Sequence, residues 1–323
     1  MPPLTPAAEA LLHRDVRAST RSQYDARINV FRLYCEEVGA DPATCHVNTV
    51  LNFLTGLWQE KKLSYQSICG YRSAIAKQHV GLGDVPLGKF TEVRRLVRAC
   101  FLERPPLPKY GDIWDVDRVL TYLETLHPAL TLSAMDLAMK TASLTFILTL
   151  SRSLHVSFVL TSFPPRASSV ALLRPDYQEV DGHIIFKLDG LEKTARPGAV
   201  RGEIRCPSGS EHPPLSLTDY LAEYSRRTAS DRDYYRAAEG CLPNRLFIAN
   251  TKPFQPVTPS TLARWLLTAM ARAGIDTTSY KAHSVRSAAS SGMLRRGLSL
   301  AQVLERANWS PTSRTFAVFY NRA

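Results

Sequence analysis

The side chains best suited to chemistry lie in the C-terminal segment that begins at Lys281. It reads K-A-H-S-V-R-S-A-A-S-S-G, and N-W-S and F-Y-N-R-A follow later. His283 and Arg286 are three residues apart, so a helix would place them on one face. Trp309 lies further along, at the junction before a third predicted helix, and Tyr320 lies near the end of that helix. An imidazole, a guanidinium, an indole N–H and a phenol together suit an anionic centre that is attacked by an oxygen nucleophile.

Three short helices are predicted around these residues. The first spans about 282–296 and ends at Gly297, a residue type that favours the left-handed cap of a helix. Ser299 can cap the start of the second helix. Ser310 followed by Pro311 is the preferred order at the start of the third helix. Together the three helices would hold the four side chains within one small helical unit.

The ordered set His283, Arg286, Trp309 and Tyr320 resembles the active-site motif of the tyrosine recombinases, the phage-integrase superfamily. The local sequence around these residues is most similar to that of the recombinases of eukaryotic crypton and DIRS-type transposons. Of the eight histidines in the sequence, only His283 has an arginine three residues later. The resemblance implies an enzyme that cuts and rejoins DNA strands, in the recombination and integration of a mobile element, through a 3′-phosphotyrosine and without metal ions.

The resemblance also implies a role for each of these four residues. Tyr320 would be the nucleophile that stays attached to the DNA. Arg286 would clamp the scissile phosphate, for which the planar guanidinium is suited. His283 would accept a proton or contact the phosphate, and Trp309 would donate its indole N–H to the same phosphate.

Two further catalytic residues are expected from an earlier part of the chain. By the resemblance, a lysine on a turn between two strands protonates the 5′ leaving oxygen, and Lys193 occupies that position in E-K-T-A-R-P-G. Lys187 and Arg196 remain alternatives. Arg166 is preferred to Arg152 as the second phosphate-clamping arginine, because the sequence after Arg166 leads directly into the strand that precedes the lysine.

The segment before Arg166 departs from the family pattern. The similar sequences F-I-L-T-L-S-R and F-V-L-T-S-F-P-P-R suggest an insertion within 148–165, which is either a real loop or a retained intron in the gene model. The acidic residue that usually follows the family's first arginine is also missing, with Ser168 and Ser169 in its neighbourhood. Support for the orientation of Arg166 is therefore weakened.

The elements that must position these residues fall into two predicted domains. Arg104-Pro-Pro-Leu-Pro-Lys109 cannot continue a helix and forms a stiff connector. We therefore predict domains at 1–105 and 111–323, joined by a linker at 106–110. The fold class is mainly α. The resemblance implies a helical core-binding (SAM-like) DNA-binding domain first, followed by a mostly helical catalytic domain with a small antiparallel β-sheet.

Apolar spacing predicts four helices in the first domain, after a loose segment at 1–18. They lie at about 19–38, 47–58, 64–79 and 91–102. The last two carry basic side chains that are candidate phosphate contacts. These predicted DNA-binding residues are Arg72, Lys77, Arg94, Arg95 and Arg98.

The second domain is predicted to begin with two helices and to continue with a β-like region and further helices. An irregular charged stretch is expected after residue 227. The predicted helices lie at about 114–126, 132–150, 217–227 and 258–273, and the strands at 184–188 and 199–205.

The net charge of +11 favours a polyanionic partner. Charge alone does not choose between DNA, RNA and acidic lipid; the resemblance selects double-stranded DNA and implies self-association on it as a dimer or tetramer. Six scattered cysteines without metal-binding spacing indicate a reducing compartment. With the resemblance to eukaryotic mobile elements, this predicts a soluble nuclear protein.

No metal site, cofactor or membrane span is expected. Acidic residues do not cluster at an ion-binding spacing, and the apolar stretch at 143–162 is interrupted by Arg152 and His155. Two alternative functions stay open. One is a domesticated DNA-binding protein of the same fold that no longer cuts, and the other is a type IB topoisomerase that relaxes supercoils without strand exchange.

Overall fold

The chain forms two compact units, residues 1–107 and 108–323, in the computed structural model. The boundary falls in the proline-rich stretch. The structure describes residues 4–12, 15–81, 85–107, 110–150, 177–187, 203–207, 212–240, 245–307, 309–310, 312 and 316.

The first unit is helical throughout its described regular structure. Its core is built from apolar residues of four helices, among them Phe31, Leu54, Ile68 and Val93. The core is formed where helical apolar spacing turns one face of each helix inward. The helices are α1 (Pro6–Leu12), α2 (Ala18–Glu37), α3 (Val47–Gln59), α4 (Tyr65–Gln78) and α5 (Thr91–Glu103).

Helix α1 lies in the segment that was predicted to be loose, so that prediction was wrong. Leu11 and Leu12 are exposed, which explains why no core-facing apolar pattern marks the helix. Local capping accounts for it instead. The hydroxyl of Thr5 accepts a hydrogen bond from the backbone N–H of Ala8 at 3.2 Å, and Pro6 stands at the first helical position.

The second unit surrounds one central helix. Helix α7 is buried along nearly its whole length and packs against α8, α10, α11 and strand β3. Burial on most sides favours apolar residues around the helix, and its buried polar side chains Lys140, Thr141 and Thr145 donate hydrogen bonds to backbone carbonyls. The elements are α6 (Val116–Thr125), α7 (Ala134–Thr149), β1 (Tyr177–Val180), β2 (His183–Lys187), β3 (Glu203–Pro207), α8 (Leu217–Arg227), α9 (Ala229–Glu239), α10 (Pro259–Arg272), α11 (Ser284–Arg295) and α12 (Leu300–Arg306).

The three strands form one antiparallel sheet in the order β1-β2-β3. Strand β1 was not predicted. It is joined to β2 by Asp181 and Gly182, which both have positive φ (50° and 69°), as a two-residue hairpin turn of type I′ requires. The D-G dipeptide is the sequence signal that marks this hairpin. Ile184 and Phe186 of β2 turn their side chains into the core.

The charged stretch after residue 227 forms helix α9, so the prediction of irregular structure there was wrong. The helix is anchored by a buried arginine. The Arg232 guanidinium donates hydrogen bonds to the backbone carbonyls of Arg245 and Leu246, and Gly240 ends the helix in the left-handed conformation. An apolar pattern could not reveal a helix held in this way.

Candidate active site

Helix α11 carries the candidate catalytic residue Arg286, follows His283 directly and is closely packed. Its buried positions are small side chains, including Ser287, Ala288 and Ser291. A Cβ added at Gly292 would lie 2.5 Å from Cγ1 of Val116, so only glycine fits where α6 crosses. The S-A-A-S-S-G sequence therefore lets α6 and α7 approach the helix backbone. Gly297 beyond its end has φ of 90°, which confirms the predicted left-handed cap.

Arg286 is the centre of the site, with 4% of its surface exposed. Its Nη1 donates to the carbonyl of Leu150, which follows α7, and its Nη2 donates to the carbonyl of Ala307, which follows α12. Carbonyls at helix C-termini lack intrahelical partners and carry partial negative charge. The guanidinium therefore joins the ends of two helices, and these bonds fix its plane.

Trp309 covers the guanidinium. The Cζ of Arg286 lies 4.1 Å from the centroid of the indole ring, which is a cation–π contact. The backbone N–H of Trp309 donates to the carbonyl of Leu304 at 2.8 Å, and the indole packs against Phe316 with ring centroids 4.8 Å apart. The fold thus brings together two motif residues from separate segments.

His283 occupies a different environment from Arg286, although the two were expected to share one helix face. The helix begins at Ser284, and His283 is its N-cap residue, without a side-chain capping bond to the helix. The imidazole is exposed, whereas the arginine three residues later is buried. The difference arises because Arg286 extends inward to the helix-end carbonyls.

The remaining predicted catalytic residues lie outside the described residues. These are Arg166, Lys193 and Tyr320, together with the alternatives Arg152 and Arg196. Of the alternative lysine, Lys187, the structure describes the backbone, which ends strand β2 opposite Glu203.

The five candidate DNA-binding residues divide between two helices. Arg94, Arg95 and Arg98 are exposed on α5, and within the described residues none of the three forms an ion pair. On α4, Arg72 is half-buried and donates to the hydroxyl of Ser73 at 3.4 Å. The remaining residue, Lys77, forms an ion pair with Asp15. The α5 arginines are therefore the least engaged of the set.

Trp114 contacts the candidate-site helix α11 but was not predicted as a functional residue from the sequence. Its indole Nε1 donates to the hydroxyl of Ser284 at 2.8 Å, and both side chains are buried. The signal available in the sequence was a tryptophan immediately after the linker. A tryptophan at that position is equally typical of a core residue, so the signal was ambiguous.

Two negative findings concern the described part of the chain. It contains no group of three or more histidine, cysteine or acidic side chains that could hold a metal ion. None of its helices is both long and apolar enough to cross a membrane.

Comparison with known proteins gives a fold but no sequence family. No protein-family model matches the sequence, and no curated protein is significantly similar to it. The structure is similar to that of a lambda integrase dimer bound to a COC′ core site, with a TM-score of 0.54 and 16% identity over 97% of this chain and 74% of that one. The chain has the integrase fold. This confirms the predicted mainly helical class with a small antiparallel sheet.

Two further structures share the integrase fold. The Tn1549 transposon integrase in complex with circular intermediate DNA has a TM-score of 0.55 and 12% identity over 97% of this chain and 93% of that one. The XerH site-specific recombinase, bound to a palindromic difH substrate in a post-cleavage complex, has a TM-score of 0.50 and 14% identity over 83% of this chain and 66% of that one.

Proposed function

We propose that this chain is a tyrosine recombinase, which cuts and rejoins DNA strands with Tyr320 as the nucleophile. The contact between Arg286 and Trp309 is the observation that carries the proposal. The order of His283, Arg286, Trp309 and Tyr320 singled out these residues as one motif, and the fold places the middle two against each other. The integrase fold of the whole chain supports the same reaction class.

In the proposed reaction the phenolic oxygen of Tyr320 attacks the scissile phosphorus, and the phenolic proton passes to a base, for which His283 is the candidate. The bond from phosphorus to the 5′ oxygen breaks, and Lys193 donates a proton to that oxygen. The product is a 3′-phosphotyrosine and a free 5′ hydroxyl. Rejoining reverses these steps: a 5′ hydroxyl gives its proton to Lys193 and attacks the phosphotyrosine, the bond from phosphorus to the phenolic oxygen breaks, and His283 returns a proton to the phenol.

Arginines would supply the charge stabilisation that other phosphoryl-transfer enzymes obtain from metal ions. The transition state gains negative charge on its non-bridging oxygens, so donors fixed beforehand are effective. Arg286 is buried, planar and held by two carbonyls and an indole. In such a water-poor setting its charge acts more strongly than it would at the surface. Arg166 would provide the second clamp.

The first unit would bind the duplex, with the exposed arginines of α5 on the phosphates. The finer identity follows the sequence resemblance: a recombinase of a crypton- or DIRS-type mobile element that acts in the nucleus. Self-association on double-stranded DNA is also proposed, because the lambda integrase of similar fold was solved as a dimer on its core site.

Covalent trapping tests the proposal. The full chain is incubated with fragmented genomic DNA in EDTA, denatured, and the attached DNA ends are sequenced. We expect adducts from the wild type, none from Tyr320→Phe, and normal adducts from Tyr280→Phe. Tyr280 is the matched control because it lies just before the same motif and contributes its ring to a contact with Tyr110.

Each other outcome contradicts a separate part of the proposal. Adducts that survive in Tyr320→Phe would mean that another residue is the nucleophile. Cleavage that requires magnesium would remove the protein from the metal-independent class. DNA binding by the wild type without any adduct would favour the domesticated binding protein.

A further inference from the structure

The segment that follows the linker runs along helix α11 from one end to the other. We call residues 110–117 the strap. At the N-terminal end of the helix, the hydroxyl of Tyr110 accepts a hydrogen bond from the backbone N–H of Lys281 at 3.3 Å, and its ring lies 5.4 Å from the ring of Tyr280. One turn further, Trp114 donates to Ser284.

The strap also contacts the C-terminal end of α11. Val116 packs directly on the backbone at Gly292. Beyond it, Arg295 donates to Asp115 at 2.9 Å, and the C-cap residue Arg296 forms an ion pair with Asp117. The strap is therefore the element that touches both ends of the helix bearing His283 and Arg286.

These contacts differ in strength. The two ion pairs are exposed, and exposed pairs contribute about 0–1 kcal/mol because water screens them. The bond from Trp114 to Ser284 is buried, with 6% and 1% of the two residues exposed. Breaking it would leave a buried polar group unsatisfied, which costs about 1–3 kcal/mol. It is the strongest directional contact between strap and helix.

Directional bonds matter in this part of the helix because most of its buried side chains are small. Its buried residues are mainly serine, alanine and glycine, together with Val285, Arg286 and Met293, and small side chains interlock less with their neighbours than large ones do. Arg286 holds the first turn of the helix towards α7 and α12 through the carbonyls of Leu150 and Ala307, and the bond from Trp114 to Ser284 holds the same turn towards the strap.

We propose that Trp114 is a positioning residue for strand cleavage: through Ser284 it sets the register of the first turn of α11. Ser284 follows His283 directly and lies two residues before Arg286, so a shift of this turn moves both candidate catalytic side chains. The inference rests on the proposed DNA-cleaving function. A misplacement of reacting groups by about 1 Å lowers a rate by about 10²-fold.

The test compares Trp114→Phe, Ser284→Ala and the double variant with Trp265→Phe. Trp265 is the matched control because it is also a buried tryptophan of the second unit, on α10, where it packs against Phe247. The substrate is a duplex oligonucleotide with the cleavage sequence recovered from wild-type adducts. Unfolding free energy, DNA affinity and the single-turnover rate of adduct formation are measured for each protein.

We expect Trp114→Phe to bind the duplex with unchanged affinity and to cleave it about tenfold to a hundredfold more slowly. Trp265→Phe should be destabilised to a similar degree but cleave at the wild-type rate. In the double variant the two losses should not add, because both single changes break the same bond. A second substrate carries an uncharged methylphosphonate at the scissile position. Trp114→Phe should be slowed less on it, because a neutral centre depends less on Arg286.

Two results would overturn the inference while leaving the proposed function intact. One is wild-type cleavage by Trp114→Phe, and the other is equal slowing of Trp114→Phe and Trp265→Phe. A failure of the proposed function is recognised separately, because the wild type itself would then form no adduct on any DNA, and the inference would fall with it.

Discussion

The guanidinium of Arg286 lies against the face of the Trp309 indole, with Cζ 4.1 Å from the ring centroid. Both side chains are buried. A desolvated cation–π contact contributes about 2 kcal/mol. The same guanidinium donates hydrogen bonds to the backbone carbonyls of Leu150 and Ala307. One arginine therefore links α7, α11 and the segment after α12, and removing the aromatic ring of Trp309 would affect stability and the candidate site together.

Trp309→Phe separates these two effects. Phenylalanine keeps an aromatic face over Arg286 but lacks the indole N–H. If that N–H binds the scissile phosphate, cleavage should slow by about 10²-fold, as for the loss of one donor to a developing charge. Stability should fall only slightly. Single-turnover adduct formation and thermal unfolding measure the two quantities. A wild-type rate would show that Trp309 serves only to hold the arginine.

Lys193→Ala should cleave normal DNA very slowly, because a 5′ alkoxide is a poor leaving group and general acid catalysis contributes about 10²–10⁴-fold. On a substrate whose 5′ bridging oxygen is replaced by sulfur, the variant should approach the wild-type rate, since a thiolate leaves without a proton. Rates on both substrates are compared in single turnover. Equal slowing on both would mean that Lys193 only positions the DNA, and Lys187 or Arg196 would become the candidate acid.

The double variant Arg94→Gln/Arg98→Gln should bind DNA more weakly than the wild type. Its DNA affinity should also depend less steeply on salt concentration. Each lost phosphate contact makes the plot of log affinity against log salt shallower by about 0.9. Arg32→Gln/Lys61→Gln is the matched control, since it removes two exposed cations of the same unit, on α2 and just after α3, and changes the net charge equally. Titrations at several salt concentrations measure both slopes. The same change in both variants would indicate a general charge effect and not a surface on α5.

Lys140 gives the second unit a distinct dependence on pH. Its ammonium is fully buried and donates to the carbonyls of Leu126 and Pro214 at 2.7 and 2.6 Å. Burial lowers the pKa of Lys140 to about 7, against a slight opposing effect of Glu124. Between pH 7 and the ordinary pKa of 10.5 the unfolded chain holds one more proton, so stability should rise with pH.

The free energy of unfolding should rise by at most about 1.4 kcal/mol per pH unit, the value for one proton. Urea unfolding between pH 7 and 8 measures it, because the raised pKa values of Cys206 and Tyr220, both about 12, act in the opposite direction once the unfolded side chains titrate near their ordinary values of 9.0 and 10.0. Lys140→Met should lose this rise, and Lys252→Met, at an exposed position, should keep it. An identical pH slope in Lys140→Met and the wild type would contradict the assignment.

Much of the secondary structure could be predicted because its causes are local. Helix α8 was predicted with its observed bounds, since Ser216 caps it and its apolar residues follow a helical period. Ser299 and Gln302 form the capping box that begins α12, as the serine indicated. Helix α9 was not predicted because it is anchored by hydrogen bonds from Arg232 to the backbone carbonyls of Arg245 and Leu246, which leave no apolar pattern in the sequence.

For the site, the sequence by itself determined the identity and order of the motif residues, because chemistry restricts which side chains can serve a phosphate. Only the tertiary structure decided that Arg286 is buried under Trp309, that His283 stays exposed, and that Trp114 holds the first turn of α11. The physical reason is that these partners are backbone carbonyls and hydroxyls from distant segments. Every residue type has a backbone carbonyl, so the sequence does not show which carbonyls accept hydrogen bonds from Arg286. Only the folded chain shows this.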